Sequence, residues 1–523
     1  VSGVFVAPPV PAGHRYEDME LSFYCRVGMA KPPVRPSLLR GLKRFVSSWL
    51  IHNTEPLTVS DGLVRQCAGV HPDDPLDFDQ YLLDTNFPLW RKEQLRQAYD
   101  SACSRVPHTD LQRQAKRFGL PVVREAEHSR DTLCHSFPKQ EFMHKLRKSK
   151  RTINPRPDAF KVLIGPLVHF YEKFVYKVQH NGFPLGIKCV PVSERPALLL
   201  KLEELVGPSS VVFATDHTAW EAHVSPEIMN AVELQIFSFL AKHNAKARVI
   251  VEYMRKVTSR RNFGENGHFV TEVKGARQSG DMHTSLGNSV TNFLVMAYAC
   301  HLAHCHFTGM VEGDDGIFVV EPSPSGQVPG VSDFADLGFD VKLETPPTVH
   351  EAQFCGNVFD PSDCRNLCDP IWFLSKSAWL LGNYQHLSLR TKLELLKARA
   401  MSALAEYAGC PIVHVWAVKV LELTAHVGYR LDFPGMDSYW THVVLDPYLG
   451  DLTNCIRDFA KVAIGEKSRS LLEATWGIPV GVQKAIETQL GLMTLAKGID
   501  VTRFSQYVNA DYLAYSRSNV VVA

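Results

Sequence analysis

Asp216 follows an apolar run, Val211–Ala214, in the stretch VVFATDHTAWEAHVSPE, and Glu221 comes five residues later. Asp314 and Asp315 stand side by side in FTGMVEGDDGIFVV, where two apolar runs flank Gly313-Asp314-Asp315-Gly316. That is the pattern of a hairpin with its tight turn at the acids. An Asp-Gly pair also makes a good hairpin turn by itself, and an Asp after an apolar strand is usually a cap or turn residue. The doubled Asp argues for more. Two adjacent carboxylates repel, and a divalent cation removes the conflict by neutralising both. With Asp216 on a neighbouring strand, this tip offers hard oxygen ligands suited to Mg²⁺. Two such ions could activate an attacking hydroxyl and stabilise a leaving phosphate.

Between these acids lies KGARQSGDMHTSLGNSVTNFLVMAYAC. Gly275 to Gly280 reads as a flexible loop, and Met282 to Cys300 has helical length. Thr284 and Asn288 are four apart on that helix and face the same way. A hydroxyl and an amide at a helix start could bind a sugar, or could be an ordinary cap and a solvated turn. Further upstream, Lys145, Arg147, Lys148, Lys150, Arg151 and Arg156 crowd KLRKSKRTINPRPDAF. Such a run is ordinarily a solvated surface. Cys300, His301, His304, Cys305 and His306 form one Cys/His cluster, and His350, Cys355, Cys364 and Cys368 another. Neither has the paired spacing of a zinc finger, so packed Cys and satisfied His are the commoner reading and structural Zn²⁺ is not expected.

The elements that must position these residues follow from pattern. Residues 1 to about 35 are rich in Pro and turn signals and read as an extended strap. Leu39–Ile51 has helical spacing, and a loop then leads into a charged helix expected around Lys92–Gln114. EPSPSGQVPG, ending at Gly330, is the most loop-like decapeptide of the chain. Beyond about residue 370 the pattern is mostly helical. A mixed middle followed by a helical final third implies an α+β class, with several subdomains sharing one site.

Composition narrows the class. At 523 residues and 45% hydrophobic, the chain can bury substantial cores without disulfides or metals. With 21% charged residues and ordinary Gly and Pro contents, collagen-like, disordered and coiled-coil classes are excluded. Lys+Arg 56 against Asp+Glu 55 excludes a uniformly basic coat or architectural protein. A nucleic-acid enzyme remains, because a channel needs only a local positive lining. The 12 Cys lack any CxxC pair, which makes a reduced compartment the default. The first residues show no secretory signal pattern and begin with Val, as in a processed or trimmed chain. Apolar stretches such as Phe293–Cys300 fall well short of the roughly 20 residues a spanning helix needs, so no transmembrane segment is expected, while peripheral attachment stays open.

Asp216-x4-Glu221, then Ser279-Gly280-x3-Thr284-x3-Asn288, then Gly313-Asp314-Asp315 resembles, in type and order, the motifs of viral RNA-dependent RNA polymerases. The wording SGDMHTSLGN is similar to that of the tombusvirus-like and flavivirus-like supergroup. The resemblance covers roughly residues 145–490 and implies several roles. Asp216 and Asp314, with Asp315 in support, would coordinate two Mg²⁺ ions, for which Mn²⁺ could substitute. Glu221 stands where the family usually has an Asp that selects ribose by its 2′-hydroxyl, with Thr284 and Asn288 as companion sugar sensors. Ser279-Gly280 resembles the loop that moves as nucleotides are taken up. R-x-I-x-P-R resembles the fingers segment of the nucleotide tunnel, which puts Arg151 and Arg156 on triphosphate oxygens, where an Arg fork fits well. Lys148 and Lys150 would neutralise phosphates nearby. SDFADLGFDVKLE resembles the segment whose lysine approaches the leaving pyrophosphate, nominating Lys342 as general acid, although Asp340 and Glu344 also suit a surface ion pair. AQFCGNVF resembles a hairpin gripping the primer strand, and RSLLEATWGIPVGVQKAIETQL a thumb helix pair. Tyr439 or Trp440 could stack on a first nucleotide or simply belong to the thumb core.

The architecture implied is a right hand of palm, fingers and thumb, the palm with a central antiparallel sheet and the thumb helical. Residues 1–140 would be N-terminal strap and fingers, and 141–205 fingers with the basic nucleotide-tunnel segment. Residues 206–235 and 275–368 would form the palm around a fingers insertion at 236–274, and 369–523 the thumb. The implied activity is template-directed RNA synthesis by nucleotidyl transfer, in replication of a viral positive-strand RNA genome. Its partners would be a single-stranded RNA template, the nascent duplex, ribonucleoside triphosphates and other viral replication proteins. The implied place is the host cytoplasm, in membrane-associated replication complexes. A reverse transcriptase would usually carry an aromatic before the doubled Asp, where Glu312-Gly313 stands here. A non-catalytic RNA-binding scaffold would not need the acids, sugar sensors and basic patch in order.

Overall fold

In a computed structural model of the chain, residues 20, 26, 32–54, 76–126, 129–139, 151–258, 261–265, 270–274, 277–377, 387–431 and 444–494 are described. The runs rich in Val, Ile and Phe become strands β1 (Val211–His217), β2 (His306–Glu312), β3 (Asp315–Glu321) and β4 (Val341–Glu344). They form one antiparallel sheet in the order β4-β1-β3-β2. Successive side chains of a strand point to opposite faces, and here both faces are covered. Phe213, Phe318 and Val320 join one core with Phe293 and Phe307. Val212, Ala214, Ile317 and Val319 join another with Leu199, Leu202 and Phe359. That double burial is why these strands read as continuous apolar runs rather than alternating ones. Glu312 pairs with Asp315, leaving Gly313-Asp314 as a two-residue loop. Gly313 adopts φ +63°, which such a loop needs at its first central position.

Helices α1 (Pro36–Thr54), α2 (Asp158–Val175), α3 (Glu233–Leu240) and α4 (Thr284–Leu302) pack on the first of these cores through Leu42, Leu163, Phe237 and Leu294. Every residue of α4 from Leu286 to Cys300 is buried, so its apolar character runs all round rather than along one stripe. The single charged helix expected over Lys92–Gln114 is instead two, Leu89–Ser104 and Asp110–Arg117. Pro107 cannot donate within a helix, and Thr109 restarts the chain by accepting from the Gln112 amide at 3.2 Å.

The final third is helical, as its pattern implies. Helices α5 (Leu389–Tyr407), α6 (Val413–Leu423), α7 (Glu466–Trp476) and α8 (Val480–Gly491) enclose a separate core of Leu404, Trp416, Leu472 and Ile486. A second hairpin, β5 (Asn357–Asp360) with β6 (Arg365–Cys368), lies at the seam. There Tyr407 Oη donates to Asn357 Oδ1 at 3.2 Å and Ser468 Oγ to Asp360 Oδ2 at 2.5 Å. On the other side, Asn86 Nδ2 donates to Asp446 Oδ2 at 3.0 Å, tying the N-terminal helices to the C-terminal third. Among the described residues, no helix is long and apolar enough to cross a membrane.

Candidate active site

The sheet register gathers the acids. Gly316 of β3 lies opposite Thr215 of β1, so the next residues along, Asp315 and Asp216, meet at the end of the sheet. The turn carrying Asp314 is held from behind by α4. Ser289 Oγ accepts from the Gly313 amide at 2.8 Å, and Asn292 Nδ2 donates to the Asp314 carbonyl at 2.8 Å. Sequence reasoning missed both braces. Their signal was a polar row, Ser289, Thr291 and Asn292, inside an otherwise apolar helix, and all three are buried.

Crowding these carboxylates changes their proton affinity. Burial pushes Asp315 up to about 7, and the charges of Asp314, Asp216 and Glu312 push the same way. Asp314 is raised too, although its side chain still reaches solvent at the turn. Partial desolvation contributes most, Glu221 and Asp216 add to it, and the positive charge of Arg151 opposes it. Arg151 therefore lies within electrostatic reach of the turn.

Glu221 sits on the single-turn helix Trp220–His223, just past β1. Its Oε1 accepts from Ser279 Oγ at 2.7 Å and its Oε2 pairs with Arg26 at 3.2 Å. Burial raises this carboxyl, but Arg26 and Ser279 outweigh it and leave it below the ordinary value. Nothing in the sequence pointed to Arg26, because a contact across 195 positions has no local signature. Gly280 follows at φ +111°. Thr284, the first residue of α4, turns its hydroxyl to the Gln278 carbonyl at 3.0 Å. Asn288 is buried one turn on, with its Oδ1 lacking a partner among the described residues. An unsatisfied buried acceptor of this kind is open to a hydroxyl donor.

Two expected contacts are arranged differently. Arg156 does not face open space: it is buried, and its Nε lies 2.8 Å from Asp281 Oδ1. Burial in a well-packed loop requires an opposite charge beside the guanidinium, and Asp281 supplies it. Lys342 lies opposite Asp216 in the β4–β1 register, but its exposed ammonium is paired with Glu344. Its proton is held more tightly than usual, first by that hydrogen bond and charge and only then by Asp216. Lys145, Arg147, Lys148, Lys150, Tyr439 and Trp440 lie outside the described residues.

Among the described residues, no three His, Cys, Asp or Glu side chains are gathered closely enough to hold an ion as they stand. The acids at the sheet end still suit one chemically. All are hard oxygen donors, and to the burial that does most to raise the proton affinity of Asp315 the neighbouring carboxylates add a repulsion that a cation would relieve. Beside them opens a cavity of about 450 Å³ between the Asp315 hairpin, the β5–β6 hairpin and the helical third, lined by Arg195, Glu312, Asp315, Asn357, Trp372 and Tyr407.

Compared with known proteins, residues 121–416 match the family described as viral RNA-dependent RNA polymerase. The RNA-directed RNA polymerase of Carnation mottle virus is 24% identical over 354 residues, covering 66% of this chain and 44% of that one. That of Melon necrotic spot virus is 23% identical over 408 residues, covering 73% and 47%. That of Tobacco necrosis virus (strain A) is 27% identical over 248 residues, covering 45% and 33%. The chain spans a little under half the length of the first two of these relatives.

Proposed function

This chain belongs to the viral RNA-dependent RNA polymerase family of the tombusvirus-like group, and on that premise we propose that it synthesises RNA on an RNA template. In this reading the 3′-hydroxyl of the growing strand attacks the α-phosphorus of a ribonucleoside triphosphate, and pyrophosphate leaves. The observation that carries it is the meeting of Asp216 and Asp315 at one sheet end, beside a turn that holds Asp314 against α4.

The site residues take the roles that the family resemblance implies, and the meeting of the acids supports that reading. Asp216, Asp314 and Asp315 would hold Mg²⁺, which when bound supplies Lewis-acid stabilisation of the phosphoryl oxygens. Arg151, whose charge acts on the turn, would receive a triphosphate, with Lys148 and Lys150 beside it in the chain. Glu221, held by Ser279, would read the ribose together with Thr284 and Asn288, whose free Oδ1 can accept from a 2′-hydroxyl. Lys342 would protonate the departing pyrophosphate on releasing Glu344. The sheet and its hairpins correspond to a palm, residues 141–205 and 236–274 to fingers, and the helices beyond 369 to a thumb. The cavity of about 450 Å³ beside Asp315 would receive the strand end. Replication of a positive-strand genome in the host cytoplasm, on membrane-associated complexes with other viral proteins, fits this activity. Fractionation of infected cells would test that placement.

The central test is incorporation of rNTPs on an RNA template. Asp314→Asn keeps shape but removes one ligand charge, so it should lose orders of magnitude in rate with template binding nearly intact, because binding rests on phosphate contacts. Lys342→Leu should slow single-turnover chemistry about 10²–10⁴-fold, the usual loss on removing a general acid. Normal turnover by the folded Asp314→Asn protein would overturn the assignment of the acids, and unchanged chemistry in Lys342→Leu would return that lysine to its Glu344 pair.

A further inference from the structure

Beneath the Ser279–Gly280 loop lie two ion pairs with almost no access to water. Arg156 and Asp281 are each 3% exposed at the side chain. Arg277 pairs with Glu233 of α3, the two at 1% and 0%. His283 lies 3.8 Å from the second Glu233 oxygen. Helix α4 packs directly on the lower pair, since a Cβ at Gly287 would run into the Glu233 carboxylate and the Arg277 guanidinium. Stability alone does not call for this arrangement, because apolar residues of similar volume often serve a core as well as a buried ion pair.

What the pairs accomplish is to join segments distant in the chain. Arg156 ends the basic stretch that begins at Arg151, and its Nη1 also donates to the Thr132 carbonyl at 2.8 Å. Asp281 belongs to the loop that carries Ser279. Between the two, the Asn154 amide donates to the Ser279 carbonyl at 2.6 Å. Ser279 in turn holds Glu221 at 2.7 Å. A continuous path therefore runs from the residue nearest the proposed triphosphate to the residue proposed to read the sugar.

We propose that the Arg156–Asp281 pair is a positioning clamp, which makes the Arg151–Arg156 stretch and the Ser279–Gly280 loop a single unit and so sets triphosphate binding and ribose reading together. This rests on the polymerase reading above. Arg156 and Asp281 touch neither nucleotide nor ion in this account. They act through Arg151 and Ser279.

Incorporation of ATP and of dATP on an RNA template, with KM and kcat measured separately, tests the clamp. Asp281→Asn leaves Arg156 uncompensated, and Arg156→Lys keeps the charge but cannot reproduce the planar fork that reaches both Asp281 and Thr132. Both variants should raise the KM for ATP by about ten-fold and lower the ATP-over-dATP preference by a similar factor, with KM moving more than kcat. Asp281→Glu, which keeps the charge, should recover much of both. A loss confined to kcat or to the fraction of active protein would leave a purely structural role and overturn the clamp. So would a KM defect with sugar preference intact. Hydrogen exchange on the protein without nucleotide reads the clamp independently of chemistry, since amides of 151–156 and 277–283 should exchange faster together in Arg156→Lys. If the parent protein incorporates no nucleotide, the polymerase reading fails while exchange still judges the clamp. If only one of the two segments loosens, the clamp fails while the polymerase reading stands. Should Asp281→Asn not fold, Arg156→Lys and Asp281→Glu carry the same comparison.

Discussion

Asp315 keeps its proton up to about pH 7, because burial and the neighbouring charges of Asp314, Asp216 and Glu312 all disfavour its ionised form. An unfolded chain releases that proton near pH 4, so between those values the native state binds more protons and stability falls as pH rises. In the presence of a chelator, Asp315→Asn should remove this fall. The variant should unfold at higher urea than the parent at pH 8, by at most about 4 kcal/mol at 1.36 kcal/mol per pH unit, and the two should converge near pH 4. Excess Mg²⁺ should narrow the gap at pH 8, since a cation offsets the repulsion the Asn removes. Equal unfolding curves at pH 8 in chelator would show that the carboxylates are not crowded in this way. Glu221 is the opposite case, a carboxylate kept ionised by Arg26 and Ser279 against the effect of burial. An acid one methylene longer than the family's usual Asp still has both oxygens directed, and those two partners are the physical reason. Glu221→Ala should therefore lower the preference for ATP over dATP by roughly one to two orders of magnitude, at about 1–3 kcal/mol per unsatisfied contact. Arg26→Ala should act in the same direction and less strongly. Trace activity that kept its full sugar preference in Glu221→Ala would move that residue from the sugar to the ions.

Helix α4 shows what an element contributes beyond its own residues. It carries Thr284 and Asn288 on its first turns, and farther along it braces the Gly313–Asp314 turn through Ser289 and Asn292. The residues proposed to read the sugar and the turn that carries Asp314 are thus fixed to one helix. Asn292→Ala would leave the Asp314 carbonyl without its side-chain donor, a loss of about 1–3 kcal/mol. Incorporation should fall by about ten- to a hundred-fold if that energy is felt in the transition state, and the Gly313–Asp315 amides should exchange faster. A variant with a stable turn and full activity would show the brace to be dispensable. Helical length and the Thr284–Asn288 spacing were legible in the sequence, as were the hairpin around the two acids and the loop ending at Gly330. Arg156 is buried for a reason that spacing could not supply. The R-x-I-x-P-R run does not reveal that Asp281, 125 positions away by number, pairs with it. The two-helix outcome at 89–117 was readable after all, from Pro107 and the Thr109 cap, once local stop and start signals are weighed above charge pattern.

At the scale of the molecule, a near-zero net charge leaves charge sorted rather than balanced at each point. The charge of Arg151 acts on the acidic turn, and Arg156 and Arg277 are paired inside the fold. The α+β class and the helical final third followed from composition and periodicity. The seam between them did not, since Tyr407–Asn357, Ser468–Asp360 and Asn86–Asp446 are single hydrogen bonds between distant segments. At that seam Val192, Val358 and Leu367 join the core around Trp416, but that cluster remains distinct from the one around α4 and the sheet. Two distinct apolar cores should open separately. Trp416 is almost wholly buried and packs edge-on against Phe373 at 5.2 Å between ring centroids. Trp416→Ala removes a large side chain from a site that can collapse only in part, at about 3–5 kcal/mol. Hydrogen exchange should then quicken across α5 to α8 while β1 and β3 keep their protection, and thermal unfolding should split into an earlier and a later step. Nucleotide binding measured without elongation should persist above the first step and be lost at the second, because Glu221 and α4 lie with the other core. If the amides of β1 and β3 lost protection in parallel with those of α5 to α8, the two cores would be one cooperative unit, coupled through Val192, Val358 and Leu367 at the seam.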